Sequence, residues 1–223
     1  MAVNTSVTVR IGKVTLTPET KAEAPTKIEP SQTFKSLGVH VTLYNNFLSH
    51  DYGNYLLNLL ERVARWNHPI TSKKRQNANY GDPGISYDLV MGYGDKKVVI
   101  RREVHDWKEI PDLILVRDQV SRITGMKYNY VVIQRYPIPS IAMPPHRDKE
   151  VASGTIISGV SLGASRNLII NPIRKIAGET HTIGLEHCSL YCMLPPTNDF
   201  ATHAITPGIS GPPVRISLTY RYQ

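Results

Sequence analysis

His146 and Asp148 stand two residues apart, and His203 opens a short strand-like run further along the chain. In extended backbone, residues two apart leave the same face, about 6–7 Å apart at Cα, so His146 and Asp148 can take adjacent corners of one metal ion. Pro144 and Pro145 stiffen the approach to them. Two imidazoles and one carboxylate make the facial donor set that holds Fe(II) and leaves positions open for oxygen chemistry. His203 is the third candidate because it follows the polar loop 195–202 and lies shortly before the last strand. His181 and His187 flank a turn and read as solvated polar residues, while His40, His50, His68 and His105 have no partner at a telling spacing. Taken alone, a His-x-Asp pair reads more readily as a charged surface turn.

The last strand carries the second chemistry. Arg215, Ser217, Thr219 and Arg221 alternate with Ile216, Leu218 and Tyr220, so one face is polar and cationic at both ends. A polar inner face in a packed β core must be satisfied by something. A dicarboxylate such as 2-oxoglutarate between two guanidiniums does so through charge-assisted, bidentate pairing. On these residues alone, an edge strand with a solvated face accounts for the pattern equally well.

The elements that position these residues follow from periodicity and punctuation. Residues 1–36 read as an N-terminal extension, partly disordered, because 17–30 is rich in Pro, Glu, Lys, Ala and Thr; Val7, Val9 and Ile11 suit a short strand within it. Order is expected from Leu37, with Val39, Val41 and Leu43 alternating as a strand. Ser49 can cap a helix running to about Trp66, with Leu56, Leu60 and Val63 on one stripe. The polar stretch 67–84, with its Pro and Gly residues, reads as loop. A second helix starts at Pro111, stops at Gly125 and turns Leu113, Val116, Val120 and Ile123 inward. Tyr128, Tyr130, Val132, Gln134 and Tyr136 then share one strand face, and Val131, Ile133 and Arg135 the other. Further strands are expected over 155–162, 167–170, 181–185, 189–194, 203–205 and 214–220. Many short strands with Gly/Pro turns predict a sandwich or jelly roll, with the two helices on one outer face, hence an α+β class.

Composition sets the bounds. The 223 residues suffice for one domain with a sizeable core, and 41% are hydrophobic. No apolar run reaches the length of a membrane span, and residues 1–10 have no apolar signal region. Cys188 and Cys192 are read as small core residues near one strand face, without the second pair a zinc cage needs. An intracellular, reducing compartment is expected, nuclear or cytoplasmic unresolved. The formal net charge of +8 favours a polyanionic partner. Lys73, Lys74 and Arg75 precede a Tyr/Gly-rich loop, and Lys96, Lys97, Arg101 and Arg102 follow it, which suits phosphate contacts beside a base pocket.

Several stretches match one family's motifs in order. Arg215-x-Ser217-x-Thr219-x-Arg221 is similar to an Arg-x-Asn-x-Thr-x-Arg tail, and Gln134-Arg135-Tyr136 to an Asn-Arg-Tyr strand followed by His146-Arg147-Asp148. Gly159-Val160-Ser161-Leu162-Gly163 is similar to a Val-Ser-(Leu/Phe)-Gly strand, and His187-Cys188-Ser189-Leu190 and Pro196-Thr197-Asn198 with His203 to its late strands. Tyr80-Gly81-Asp82-Pro83-Gly84-Ile85-Ser86-Tyr87 is similar to a nucleotide-recognition loop. Together, over residues 39–222, the chain resembles the AlkB family of Fe(II)/2-oxoglutarate dioxygenases, which remove alkyl groups from nucleobases.

The resemblance implies a double-stranded β-helix (jelly-roll) core over 128–223, with helices and nucleotide-recognition loops over 37–127 forming the rest of one domain, 37–223. It implies His146, Asp148 and His203 as iron ligands, and Arg215, Tyr136, Gln134, Ser217 and Arg221 around 2-oxoglutarate. Gln134 and Ser217 stand where the family usually has Asn. Glu150 would read the damaged base, Tyr80 and Tyr87 would line the pocket or bind phosphate, Leu89 takes the place of a stacking aromatic, and Arg75 belongs to the substrate contacts. The activity implied is removal of N-alkyl lesions, such as 1-methyladenine or 3-methylcytosine, from DNA or RNA using Fe(II), 2-oxoglutarate and O2, with release of formaldehyde and succinate. The segment from Trp66 to Tyr80 has no apolar finger for opening a duplex, which favours single-stranded substrates; a monomer is expected. The alternatives are a 2-oxoglutarate oxygenase acting on a protein or small molecule, and a non-catalytic nucleic-acid-binding relative.

Overall fold

The computed structural model describes residues 28–91, 98–173, 178–208 and 214–223, with the side chains of 87–100 left aside. The elements run β1 Gln32–Ser36, β2 Val39–Tyr44, α1 His50–Val63, β3 Gln76–Gly81, β4 Tyr87–Met91, β5 Val98–Arg102 and β6 His105–Asp106. They continue as α2 Pro111–Thr124, β7 Tyr130–Tyr136, β8 Met143–His146, β9 Ile157–Gly163 and β10 Arg166–Pro172. The chain closes with β11 His181–Leu185, β12 Leu190–Met193, a single helical turn α3 Thr197–Phe200, β13 Ala201–Ile205 and β14 Arg215–Arg221.

Two sheets make the core: an eight-stranded sheet in the order β1-β2-β12-β9-β14-β7-β3-β6, and a four-stranded one ordered β11-β10-β13-β8. Strands β4 and β5 form a separate hairpin. Alternation sorts the side chains of the large sheet between two apolar clusters. Val131 and Ile133 of β7, and Ile216, Leu218 and Tyr220 of β14, face the helices. Val41, Tyr136, Ile157, Tyr191 and Met193 face the small sheet, where they meet Leu168, Ile170, Ile183 and Ile205. The result fits a jelly roll with helices on one outer face.

Both helices form as their sequences require. The Ser49 hydroxyl accepts from the Tyr52 amide at 3.3 Å, capping α1, and Gly53, Leu56 and Leu60 are its buried stripe. Pro111 opens α2 and Gly125 closes it at φ 70°, a left-handed conformation that glycine tolerates without strain. Leu113, Val116 and Val120 are fully buried. The Tyr220 hydroxyl donates to the Leu113 carbonyl at 2.9 Å, tying α2 to the middle of the large sheet.

The structure departs from the sequence reading in several places. Strand β1 lies inside the expected extension and pairs with β2 from Gln32↔Leu43 to Ser36↔Val39. Part of the expected loop 67–84 is the strand β3, hydrogen-bonded to β7 and β6. Gln76 is satisfied inside: the Arg135 guanidinium donates to Gln76 Oε1 at 2.6 Å, and Gln76 Nε2 reaches the Pro69 carbonyl. Tyr128 precedes β7 rather than sharing its inner face, and packs in the helix-side cluster. Cys188 lies outside β12 at φ 65°, although both cysteines are buried and free as expected. The strand expected around Val7–Ile11 lies outside the described residues. No helix among the described residues is long and apolar enough to cross a membrane.

Leu60 is fully buried between α1 and the sheet, whereas Leu115 on α2 is 56% exposed. Leu60→Ala should lower unfolding free energy by about 2–5 kcal/mol. Leu115→Ala should change it by about 0.5 kcal/mol or less. Urea titrations of the two variants check the assignment of the helix faces.

Candidate metal centre

Strand pairing brings the two imidazoles together. His203 of β13 is the direct antiparallel partner of His146 of β8, and their ring centroids lie 4.2 Å apart. Asp148 follows two residues beyond His146, and its Oδ1 sits 3.6 Å from His146 Nε2 and 3.8 Å from His203 Nε2. One ligand atom from each residue lies within 4.8 Å of the other two. Asp148 and His203 are buried and His146 is half-buried, so the set faces one opening.

The electrostatics suit a cation. Burial holds the His203 pKa well below the ordinary 6.5, with His146 and Arg221 acting the same way and Glu150 opposing. The ring is therefore neutral at neutral pH, the form a metal ligand needs. Arg221 Nη2 pairs with Asp148 Oδ2 at 2.7 Å, and its Nη1 with Glu150 Oε1. One guanidinium thus fixes the carboxylate ligand and the acid beside it, leaving Asp148 Oδ1 turned toward the two histidines.

Strand β14 is not an edge: it lies between β9 and β7, which removes the solvated-face alternative. Arg215, Ser217, Thr219 and Arg221 are all buried between the sheets. Arg215 faces Tyr136 across the β7 ladder, and Ser217 faces Gln134. The Arg215 guanidinium stands 5.1 Å from the centre of the Tyr136 ring and donates from Nη2 to Ser161 Oγ at 2.9 Å. Its Nε and Nη1 are buried with no hydrogen-bond partner among the described residues. The Tyr136 hydroxyl donates to Gln134 Oε1 at 2.9 Å. A fully buried cation with two unanswered donors calls for an anion, and a carboxylate has the geometry to accept from both. The donor set around His146 fits ferrous iron, and Arg215 fits the far carboxylate of a diacid bound beside it.

A narrow space lined by Gln134, Tyr191, His203, Arg215, Ser217 and Thr219 joins these features, sharing Gln134, Met143, His146 and Arg221 with a wider cleft of about 450 Å³. Arg75, Asn77, Arg102, Arg147, Lys149 and Glu150 line that cleft. Glu150 and Arg75 are therefore brought to the opening, with Arg75 Nη1 against Met143 Sδ. Tyr80 is not: its ring is fully buried in the helix-side core, and its hydroxyl accepts from the Arg65 amide at 2.9 Å. Alternation on β3 turns it inward, a consequence of the strand that was read as loop. The side chains of Tyr87 and Leu89 lie outside the described residues. His187, read as solvated, is half-buried and accepts from the Gly163 amide at 2.9 Å.

Tyr191 is a site residue that sequence reasoning missed. It lies on the inner face of β12, and burial pushes its phenol up to about 12, so it stays neutral. A Cβ on Gly159 would meet the Tyr191 ring at 2.2 Å, so glycine there is what lets the ring lie flat against β9. The signal was available in the alternation Leu190, Tyr191, Cys192, Met193, which puts Tyr191 opposite the face shared by Leu190 and Cys192.

A two-sheet β sandwich with a His-x-Asp…His triad facing its interior, beside a buried arginine on the last strand, defines the class of iron- and 2-oxoglutarate-binding folds. A family profile described as the 2OG-Fe(II) oxygenase superfamily matches residues 40–221, and the chain belongs to that family. Within it the chain is AlkB-like. It is 32% identical over 180 residues to DNA oxidative demethylase ALKBH2 of Bos taurus, covering 75% of this chain and 59% of the relative. It is 31% identical to the protein of that name from Homo sapiens, covering 75% of this chain and 63% of the relative. The chain thus spans about three-fifths of the length of these two relatives. A solved structure of OsALKBH1 superposes with a TM-score of 0.53 at 15% identity, over 81% of this chain and 97% of that one, a likeness of fold.

The lowered pKa of His203 has a measurable consequence for the metal-free protein. The unfolded chain takes up this proton near the ordinary 6.5, whereas the folded protein resists it to lower pH. Between the two values the unfolded state binds more protons, so stability falls as pH drops below about 6.5. Melting temperatures taken from pH 7 to pH 5 should fall, and His203→Asn should flatten that slope. It should not abolish it, because His40 and His187 are also lowered by burial.

Proposed function

We propose that this chain is an oxidative nucleic-acid demethylase that uses Fe(II), 2-oxoglutarate and O2 to remove N-alkyl groups, such as those of 1-methyladenine or 3-methylcytosine, from DNA or RNA. Formaldehyde and succinate are the products. The observation that carries the reading is the triad within 4.8 Å beside a fully buried Arg215 whose Nε and Nη1 have no hydrogen-bond partner among the described residues. The similarity to DNA oxidative demethylases supports a nucleic-acid substrate.

When bound, iron and the keto acid supply the oxidising power. The protein's share is binding, orientation and exclusion of water. His146, Asp148 and His203 hold the metal. Arg215 and Tyr136 hold the distal carboxylate, with Ser217 and Gln134 beside it, and Arg221 lies on the metal side. The buried apolar inner faces of the two sheets keep water from the diacid. Arg75, Arg102, Arg147 and Lys149 rim the cleft and take phosphates, so affinity falls as salt rises. Glu150, fixed by Arg221, faces the cleft as the acid that reads a base swung out of its stack. The nucleotide-recognition region is the stretch that follows the buried Tyr80 up to Tyr87, together with the β4–β5 hairpin that carries Leu89. Between Trp66 and β3 a single large apolar side chain, Ile70, is exposed, too little to pry a duplex apart, which favours single strands. The protein acts as a monomer inside the cell.

Purified protein given Fe(II), 2-oxoglutarate and a methylated single-stranded oligonucleotide should release formaldehyde and succinate, and His146→Ala should abolish both. Arg215→Lys should raise the KM for 2-oxoglutarate by about 10–100-fold, the loss of one or two charge-assisted hydrogen bonds. Turnover of 2-oxoglutarate that ignores every methylated DNA and RNA oligonucleotide would move the reading to a protein or small-molecule substrate.

A further inference from the structure

The metal-ligating segment lacks the support that strands ordinarily supply. Strand β8 ends at His146, the last residue paired with β13, and Asp148 lies beyond it outside any ladder. Its backbone amide and carbonyl must still be satisfied, because the residue is buried. Both are taken by one side chain. The Asp148 amide donates to Asn198 Oδ1 at 3.0 Å, and Asn198 Nδ2 donates to the Asp148 carbonyl at 2.7 Å. A primary amide is among the few side chains that can do this, since it carries an acceptor and a donor side by side, as a peptide group does.

Asn198 is itself anchored. Its neighbour Thr197 is buried, and the Thr197 hydroxyl accepts from the His40 amide at 2.8 Å and donates to the His40 carbonyl at 3.0 Å. The α3 turn is thereby pinned to β2 of the large sheet. A third contact runs from Arg147 Nη1 to the Asp199 carbonyl at 3.0 Å. The same turn leads directly into β13, which carries His203. So α3 sets the position of two of the three ligands, His203 through the chain and Asp148 through Asn198.

We propose that Asn198 is a positioning residue for the metal centre: its amide replaces the missing strand partner of Asp148 and fixes that ligand's backbone opposite His146 and His203. This rests on the reading of the triad as a metal site. Arg221 aims the Asp148 carboxylate, and Asn198 fixes the peptide that carries it. With the amide removed, the Asp148 segment gains freedom that metal binding must take away again. Loss of such outer contacts weakens metal sites by about 10–100-fold.

The test uses the full chain with Mn(II) or Co(II) as probe, titrated calorimetrically without co-substrate. Asn198→Ala should weaken binding by about 10–100-fold, while the metal-free protein stays folded and melts several degrees lower, because a buried amide and carbonyl lose their partner. Asn171→Ala, which removes a half-buried amide that accepts from the Thr180 hydroxyl, should leave metal affinity unchanged. A second measurement needs no variant: in the wild-type protein the Asp148 amide should exchange with solvent markedly more slowly than those of Arg147 and Lys149. Equal metal affinity in Asn198→Ala and wild type, or an Asp148 amide exchanging as fast as its neighbours, overturns the proposal. Wild-type protein that binds neither ion would instead overturn the metal-site reading beneath it.

Discussion

Four polar side chains on β14 are buried in the middle of the large sheet, and everything around the site answers that constraint. A strand face covered by a second sheet cannot turn Arg215, Ser217, Thr219 and Arg221 to water. Each guanidinium must find negative charge or strong acceptors inside, because an unpaired buried charge is far costlier than a paired one. Arg221 finds Asp148 and Glu150. Among the described residues, Arg215 finds the Ser161 hydroxyl for one of its nitrogens and the Tyr136 ring beside it, and no carboxylate. The difference between the two ends of one strand separates the structural job from the binding job.

The small sheet supplies the complementary half. It brings His146 and His203 into direct register across a single ladder, so their separation is set by backbone hydrogen bonds and does not depend on flexible side chains. Asp148 arrives from a segment outside the ladder and is held from two directions, its carboxylate by Arg221 and its peptide by Asn198. The three candidate ligands are therefore held in two ways, His146 and His203 by strand register and Asp148 by side-chain hydrogen bonds.

Much of this was legible in the sequence where alternation was strict. Arg215 to Arg221 reads as polar on every second residue, and the structure sorts those residues to one side without exception. The two helices also announced themselves, through Ser49, Pro111 and Gly125. Strand β3 did not, because Gln76, Asn77 and Asn79 look like loop residues until their partners are known. Gln76 is buried only because Arg135 and two backbone carbonyls meet it there. Tyr80 followed from the same gap: once β3 exists, its ring must point into the core. The register that pairs His203 with His146 could not be read, since it depends on which of several short strands lie side by side.

Among the described residues, strand β8 is the outermost strand of the small sheet, and one of its sides has no neighbour in that sheet. An open border of this kind ordinarily invites another polypeptide to zip onto it. Here the border reads Met143-Pro144-Pro145-His146, and the two prolines have no amide hydrogen to offer. A foreign strand would find no regular row of donors there, so the strand that carries the imidazole proposed to bind metal is guarded against being stitched into an aggregate.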